Sequence, residues 1–430
     1  MREGTAPCGI RYAVKRRPGA AAFAALAIQA GTRDECGFSG GIAHFTEHTL
    51  FRGTSRKSAS VISNYLDRLG GDLNAYTTKE EIVLHATVLR EDIGKAASLL
   101  VELATSPTFP AREIETERGV VIDEIIASED APADEIYDRF EAALFEGHPL
   151  GGLILGTRES VSVITSEDLH SFVAALFRPS RMSLTLVADI PEDILERKLL
   201  KLVGKAFGVA TSVISSGADS VVSSEAATPF VISSEGDSRS REISSSRVFD
   251  LRIDRGDHEA NAVVGATAPS LYGGRERYAA ILLCNMLGGP ASNSLLGSYL
   301  RERHGWVYGI ECSYTQYADT GVAAISFGCD RPNLRKCLAA VDRILASVRE
   351  KPISESRLRA AKKQLLCQAA ISSESGETTC LSMAKSLLSY GRVITDEEAR
   401  AAITSLTPDD ILTAARTIFD PVRLSRLVFV

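Results

Sequence analysis

The 430-residue sequence predicts an α+β fold of two similar domains, each a mixed and mostly antiparallel sheet packed against helices. Three features predict it. Strand-like runs and helical blocks recur in the same order in two halves. A serine-dominated stretch at 211–246 divides those halves. The helices gather in long blocks and do not alternate one for one with strands, the pattern of segregated α+β layers. The expected organisation is an N-terminal domain at 1–210, a Ser-rich linker at 211–246 and a homologous C-terminal domain at 247–430. Each domain is expected to form one sheet with helices on one face.

The elements follow along the chain. Ile10-Arg-Tyr-Ala-Val and Ala21-Ala-Phe-Ala-Ala-Leu-Ala-Ile are strand-like, and helical text begins near Gly40. Glu81-Ile-Val-Leu-His-Ala-Thr-Val-Leu is strand-like because β-branched and apolar residues dominate it. Helical periodicity covers 90–103, 134–144 and 166–177, and Met182-Ser-Leu-Thr-Leu-Val-Ala ends the first half with a strand. The second half repeats the plan. Strands are predicted at 261–266 and 322–327, helices at 277–287, 332–349, 355–374 and 407–418, and a closing strand at 425–430. In 211–246 serine dominates and neither period persists, which reads as a linker.

Composition removes several function classes. Forty-eight Lys and Arg against 55 Asp and Glu give a formal charge of −7, the wrong sign for coating nucleic acid or an anionic membrane. No apolar run reaches the ~18 residues of a membrane-spanning helix. The first fifteen residues hold no apolar core of the secretory kind. Eight scattered cysteines with no CxxC pair look like free thiols in a reducing compartment. The expected location is the cytoplasm, with the periplasm or an organelle as the alternative where a targeting segment has been removed.

The chemistry concentrates in His44-Phe45-Thr46-Glu47-His48. On a helix His44, Glu47 and His48 fall within an arc of about 100°. Two imidazoles one turn apart can grip one divalent ion, and a carboxylate beside them can take a proton from water. The order HxxEH is the inverse of the HExxH order of zinc proteases. Zinc wants a third protein ligand and an open position. A second helical segment, 111–126, carries Glu113, Glu117, Val120 and Glu124 on one face, which is an odd mixture for a solvated surface.

His44-Phe-Thr-Glu-His48 followed by Glu117 and Glu124 resembles the pitrilysin/insulinase family of zinc metallopeptidases, the inverzincins. The most similar branch is that of mitochondrial processing peptidase and its bacterial relatives. Gly31-Thr-Arg-Asp-Glu, Asn74-Ala-Tyr-Thr77, His148-Pro-Leu-Gly151, Leu287-Gly-Gly and Leu300-Arg-Glu-Arg-His-Gly-Trp-Val-Tyr308 fit as well. The resemblance implies one Zn²⁺ per chain, held by His44, His48 and Glu124. It implies Glu47 as general base and Glu117 as support for a ligand. It places Arg301 and Tyr308 on the substrate, Tyr308 near the scissile carbonyl. Asn74, Ala75 and Tyr76 are expected to begin an edge strand along which an extended peptide pairs. The implied substrate is a peptide or unfolded polypeptide. Because one chain carries both the zinc residues and the Arg–Tyr pair, the implied assembly is a homodimer. Each of its sites would be completed by the second domain of the other copy.

Two other motifs carry less. Gly37-Phe-Ser-Gly-Gly41 matches G-x-S-x-G, but a polar, turn-rich stretch separates Ser39 from the preceding strand, unlike a nucleophile elbow. Gly288-Gly289-Pro290 lacks the ending of a phosphate loop and reads as a helix terminator. The competing reading of the whole chain is a non-catalytic scaffold or partner subunit built on the same fold.

Overall fold

The computed structural model describes residues 1–208 and 247–430, so the linker expected at 211–246 lies outside the described residues. The first half carries β1 (Arg2–Thr5), β2 (Arg11–Arg16), β3 (Ala21–Ile28), α1 (Ile42–Leu50), α2 (Ala59–Asp67), β4 (Asp72–Thr77) and β5 (Ile82–Leu89). It continues with α3 (Ile93–Thr105), α4 (Ala111–Glu129), α5 (Pro132–Leu144), α6 (Arg158–Ser162), α7 (Ser166–Leu176), β6 (Met182–Ala188) and α8 (Glu192–Ala206). The second half carries β7 (Asp250–Ile253), β8 (Glu259–Ala268), α9 (Gly274–Gly288), β9 (Gly309–Gln316), β10 (Gly321–Asp330) and α10 (Leu334–Glu350). It ends with α11 (Glu355–Ser373), α12 (Gly376–Tyr390), α13 (Asp396–Ser405), α14 (Pro408–Ile418) and β11 (Ser425–Phe429).

Each half builds one sheet, as the α+β reading expects. The first runs β1-β2-β6-β3-β5-β4 and the second β7-β11-β8-β10-β9. Only β2–β6 and β11–β7 pair in parallel, and the other neighbours are antiparallel.

The expectation of helices on one face alone is corrected. Both faces of each sheet are covered, and the second cover comes from the other half of the chain. In the first sheet Leu26, Ile28, Leu84 and Leu186 join the core beneath α3 and α8. Their alternates Ala25, Ala27, Val83 and Val187 pack on Cys380, Met383, Ala384 and Leu387 of α12. Successive strand residues point to opposite faces, so these two sets lie on opposite sides of the sheet. The exchange is reciprocal. Ile136, Phe140 and Leu144 of α5 lie on Val263, Val322, Ala324 and Leu427 of the second sheet. The sequence carries the physical reason. β6 is buried along its whole length and β8 nearly so. Such continuous apolar strands need cover on both sides.

A polar cluster ties the halves together beside this exchange. Arg33, whose side chain is 2% exposed, pairs with Glu80 at 2.7 Å and with both carboxylate oxygens of Asp319. The Ala318 N–H donates to Glu80. Gly31 permits this approach, because a Cβ there would lie 2.5 Å from the Lys79 carbonyl.

Candidate metal centre

The pentapeptide His44–His48 lies on α1, and a short, irregular segment sets how that helix begins. Gly41 holds a left-handed φ of 84° just before the first turn. A Cβ there would meet the Leu155 carbonyl oxygen at 2.6 Å. The Gly41 and Ala43 N–H groups both donate to the Glu35 carboxylate at 3.0 Å. Glu35 thereby satisfies amides that a helix start leaves without partners. Burial pushes its carboxyl up to about 8 against the opposing pull of those two N–H bonds.

α4 packs along α1 and presents two glutamates. The face foreseen for Glu113, Glu117, Val120 and Glu124 holds only in part. The buried stripe is Ile114, Glu117, Val121 and Ile125, while Val120 is 45% exposed. Glu117 is therefore sunk among apolar neighbours and is 1% exposed. Its Oε2 lies 3.1 Å from His48 Nδ1, and its Oε1 pairs with the Arg52 guanidinium. The tautomer with the proton on Nδ1 donates to Glu117 and turns Nε2 outward as the ligating nitrogen.

His48 Nε2 faces the third residue. Glu124 Oε2 lies 3.5 Å from His48 Nε2 and 3.6 Å from His44 Nε2. One donor atom from each of His44, His48 and Glu124 falls within 4.8 Å of the others. Among the described residues no other group of three His, Cys, Asp or Glu side chains converges in this way. Burial, reinforced by His48, lowers His44 to about 4 and keeps it neutral, which is the ligating form. Bonds of about 2.0 Å in a tetrahedron place ligand atoms about 3.3 Å apart. Against the pull of burial, the neighbouring carboxylates of Glu124, Glu47 and Glu117 raise His48, so a bound cation would have to displace a proton there; the Glu124 distances of 3.5 and 3.6 Å suit a zinc ion.

Glu47 sits beside this set on the same helix. Burial raises its carboxyl against the pull of His48. The Thr77 hydroxyl donates to its Oε2 at 3.4 Å. Thr77 closes β4, which pairs only with β5 and forms the sheet edge. Asn74, Ala75 and Tyr76 lie along that edge strand. Tyr76 stacks edge-on against His85, and the Lys385 ammonium lies 5.0 Å above its ring.

The chain thus brings His44, Glu47, His48, Glu117 and Glu124 together and ends the Asn74–Tyr76 strand beside them. Arg301 and Tyr308 stand apart. Arg301 pairs with Glu302, and the Tyr308 hydroxyl donates to Asp330 at 2.6 Å. Neither makes a hydrogen bond or ion pair with the cluster. Three residues around the site were not foreseen individually: Glu35, Arg52 and Thr77. The only available signal was a carboxylate shortly before a helix rich in chemistry.

Comparison with known proteins gives the family of the chain. The model described as insulinase, peptidase family M16, matches residues 11–158, and the peptidase M16 inactive domain matches residues 164–365. A Mycobacterium leprae protein named as an uncharacterized zinc protease is 28% identical over 97% of this chain and 88% of its own length. One of the same description from Bacillus subtilis is 27% identical over 96% and 94%. Two solved structures superpose over the whole chain. One is a peptidase M16 inactive domain from Pseudomonas fluorescens, at TM-score 0.84 and 17% identity, with 97% of it covered. The other is a protease from Helicobacter pylori, at 0.83 and 18%, with 98% covered. The two domain matches adjoin along most of the chain, and both belong to one family. This chain belongs to the insulinase family, peptidase family M16.

Proposed function

We propose that the protein is a zinc-dependent endopeptidase acting on peptides or unfolded polypeptides, with Glu47 as its general base. The observation that carries the reading is the convergence of His44, His48 and Glu124 with Glu47 beside them. A zinc ion held there supplies Lewis acidity toward a carbonyl and acidifies water to a pKa of about 7. His44 and His48 would each offer one ring nitrogen, and Glu124 adds the negative charge. Glu117 fixes the tautomer and orientation of His48 through Nδ1. Glu47 takes the proton of the attacking water on a carboxylate oxygen and passes it to the leaving nitrogen. Its desolvated position raises its basicity toward neutral pH, as a base for that task requires. The outer edge of β4 offers backbone groups to an extended peptide, so Asn74, Ala75 and Tyr76 align the scissile bond with Glu47.

Arg301 and Tyr308 complete the proposal as substrate-binding groups. Tyr308 is 58% exposed, so its hydroxyl can leave Asp330 for a substrate carbonyl. Arg301 is exposed and can hold a substrate carbonyl or carboxylate. Their separation from the cluster within one chain supports a homodimer in which a second copy supplies them. Charge and hydropathy leave nucleic acid out of the partner set, and among the described residues no helix is long and apolar enough to cross a membrane.

The test is metal content and peptide cleavage for the wild type and Glu47→Gln. The expected wild-type result is one zinc per chain with chelator-sensitive cleavage. The variant should keep its zinc and lose cleavage by a factor of roughly 10²–10⁴. Unchanged cleavage in Glu47→Gln removes Glu47 as base. A wild type with neither zinc nor cleavage supports the scaffold reading.

A further inference from the structure

A cavity of about 360 Å³ opens between α3 and α8, within the first half of the chain. Its volume falls within the range of about 300–1,000 Å³ that small-molecule sites occupy. Gly94, Ser98 and Thr105 keep the α3 side small and uncharged, and Val101 and Leu202 add apolar wall. The other side is cationic. Lys198, Lys201 and Lys205 of α8 line it, and Arg56 reaches it from the segment between α1 and α2.

This positive charge has no counterpart. At 100° per residue the three lysines fall within an arc of about 60°. The acids of α8, Glu192, Asp193 and Glu196, turn to the opposite side of the helix. There they pair with the N-terminal amine, Arg197 and Arg2. One carboxylate lines the cavity, Glu102, and both of its oxygens are engaged. Its Oε1 accepts the Thr54 hydroxyl at 2.6 Å, and its Oε2 pairs with Lys57. Among the described residues none of Arg56, Lys198, Lys201 and Lys205 makes an ion pair. Four cations thus share one concave opening on a chain whose formal charge is −7. Like charges three and four residues apart destabilise a helix, so the lysine stripe does not serve the fold.

What the stripe suits is an anion. Ammonium and guanidinium groups are charge-assisted donors to phosphate oxygens, and a cleft lined by one sign of charge concentrates ligands of the other. Lys198 and Lys205 stand two turns apart, about 10 Å along the helix. A lone phosphate is smaller than that span, whereas a chain of two or three phosphates follows it.

We infer that the α3–α8 cavity binds a small soluble polyanion of the di- or triphosphate class, its phosphate oxygens held by Lys198, Lys201, Lys205 and Arg56. Ser98 adds a hydroxyl, and the wall of Val101 and Leu202 faces any organic remainder. None of the lining residues belongs to the metal centre or to β4, and the inference does not rest on the peptidase reading.

The test titrates the full-length chain with inorganic triphosphate by calorimetry, beside orthophosphate. Triphosphate should bind saturably, about tenfold or more tightly than orthophosphate, and more weakly as salt screens the charges. Lys201→Gln and Lys205→Gln should each weaken it by about 2–5-fold, the scale of an exposed charge pair. The triple variant that adds Lys198→Gln should weaken it by about 10–100-fold. Lys201→Arg should keep the affinity, and so should Lys351→Gln, at an exposed lysine just beyond α10. Without ligand the triple variant should unfold no lower than the wild type, because the substituted side chains are exposed and repel one another. No saturable binding of triphosphate overturns the inference. So does binding that the triple variant retains, which puts the ion elsewhere on the chain, the metal centre included. A loss in Lys351→Gln as large as in the single stripe variants marks a diffuse charge effect and overturns it too. Cosedimentation with phosphatidylglycerol vesicles in place of triphosphate binding gives the stripe to a lipid surface, with the same consequence.

Discussion

Glu117→Gln separates a residue that supports the metal centre from one that merely fills space. Glu117 makes two polar contacts from a position 1% exposed. One is the hydrogen bond from His48 Nδ1 at 3.1 Å, and the other is the ion pair with Arg52. The Arg52 side chain is 38% exposed, so water screens that pair and its loss costs at most about 0–1 kcal/mol. The His48 bond is the larger loss. Glutamine keeps the volume and can still accept one hydrogen bond, but it carries no charge to make the imidazole a stronger donor to zinc. Partners of this kind typically cost 10–100-fold in metal affinity when changed, or about 1.4–2.8 kcal/mol. The expected result is therefore a zinc dissociation constant raised by about that factor, while the metal-free protein unfolds close to the wild type. Competition with a chromophoric chelator gives the first quantity and thermal unfolding the second. A folded variant whose zinc affinity lies within about threefold of wild type would refute the assignment.

Three further outcomes follow from particular contacts. Asp319→Ala removes a bidentate carboxylate partner from the buried Arg33 and should cost about 3 kcal/mol, the low end for a broken buried pair, in urea unfolding; a loss under about 1 kcal/mol would contradict it. Gly41→Ala forces a side chain into a left-handed φ of 84° against the Leu155 carbonyl, so it should lower stability by about 2 kcal/mol or more and weaken zinc binding with it. Asp410 is held below the usual carboxylate range, first by the Arg275 guanidinium and further by Thr407. Its contribution is present above an unfolded pKa of about 3.9 and drains as pH falls through the lower folded value. Asp410→Asn should flatten stability against pH below about 4, and equal slopes in both proteins would count against the pairing.

The candidate metal centre was legible because its strongest element is local. Two histidines four residues apart with a glutamate between them need only a helix to share a face, and α1 supplies it. The partner helix was harder. Glu113, Glu117 and Glu124 follow one period, and spacing does not say which carboxylate reaches the imidazoles. The resemblance named Glu124, and packing gives the reason for the division of labour. Glu117 lies two turns earlier and deeper, between Ile114 and Val121, and reaches Nδ1 of His48. Glu124 stays at the rim near both Nε2 atoms. Glu35 was invisible for another reason: its carboxylate reaches the start of α1 through an irregular turn with no period. The exchange of α5 and α12 was also hidden. The pattern Cys380, Met383, Ala384, Leu387 shows that a helix has an apolar face, but not whose sheet receives it. The sequence reading assigned no helix at α2, α6, α8, α12 or α13.

The two halves contribute to the centre in different ways. All three candidate ligands and Glu117 stand on α1 and α4, both in the first half, so its packing alone assembles the donor set. Glu47 is tied to Thr77 at the end of β4, and the turn that follows is held by the second half. Glu80 takes the Ala318 N–H, Glu81 pairs with Lys385, and Arg33 beside them takes Asp319. Displacing the second half would therefore act first on the strand that ends beside Glu47, and only later on the candidate ligands. On the proposed reading, metal retention would be separable from cleavage, because the first would rest on one packed pair of helices and the second on how the halves are seated against each other.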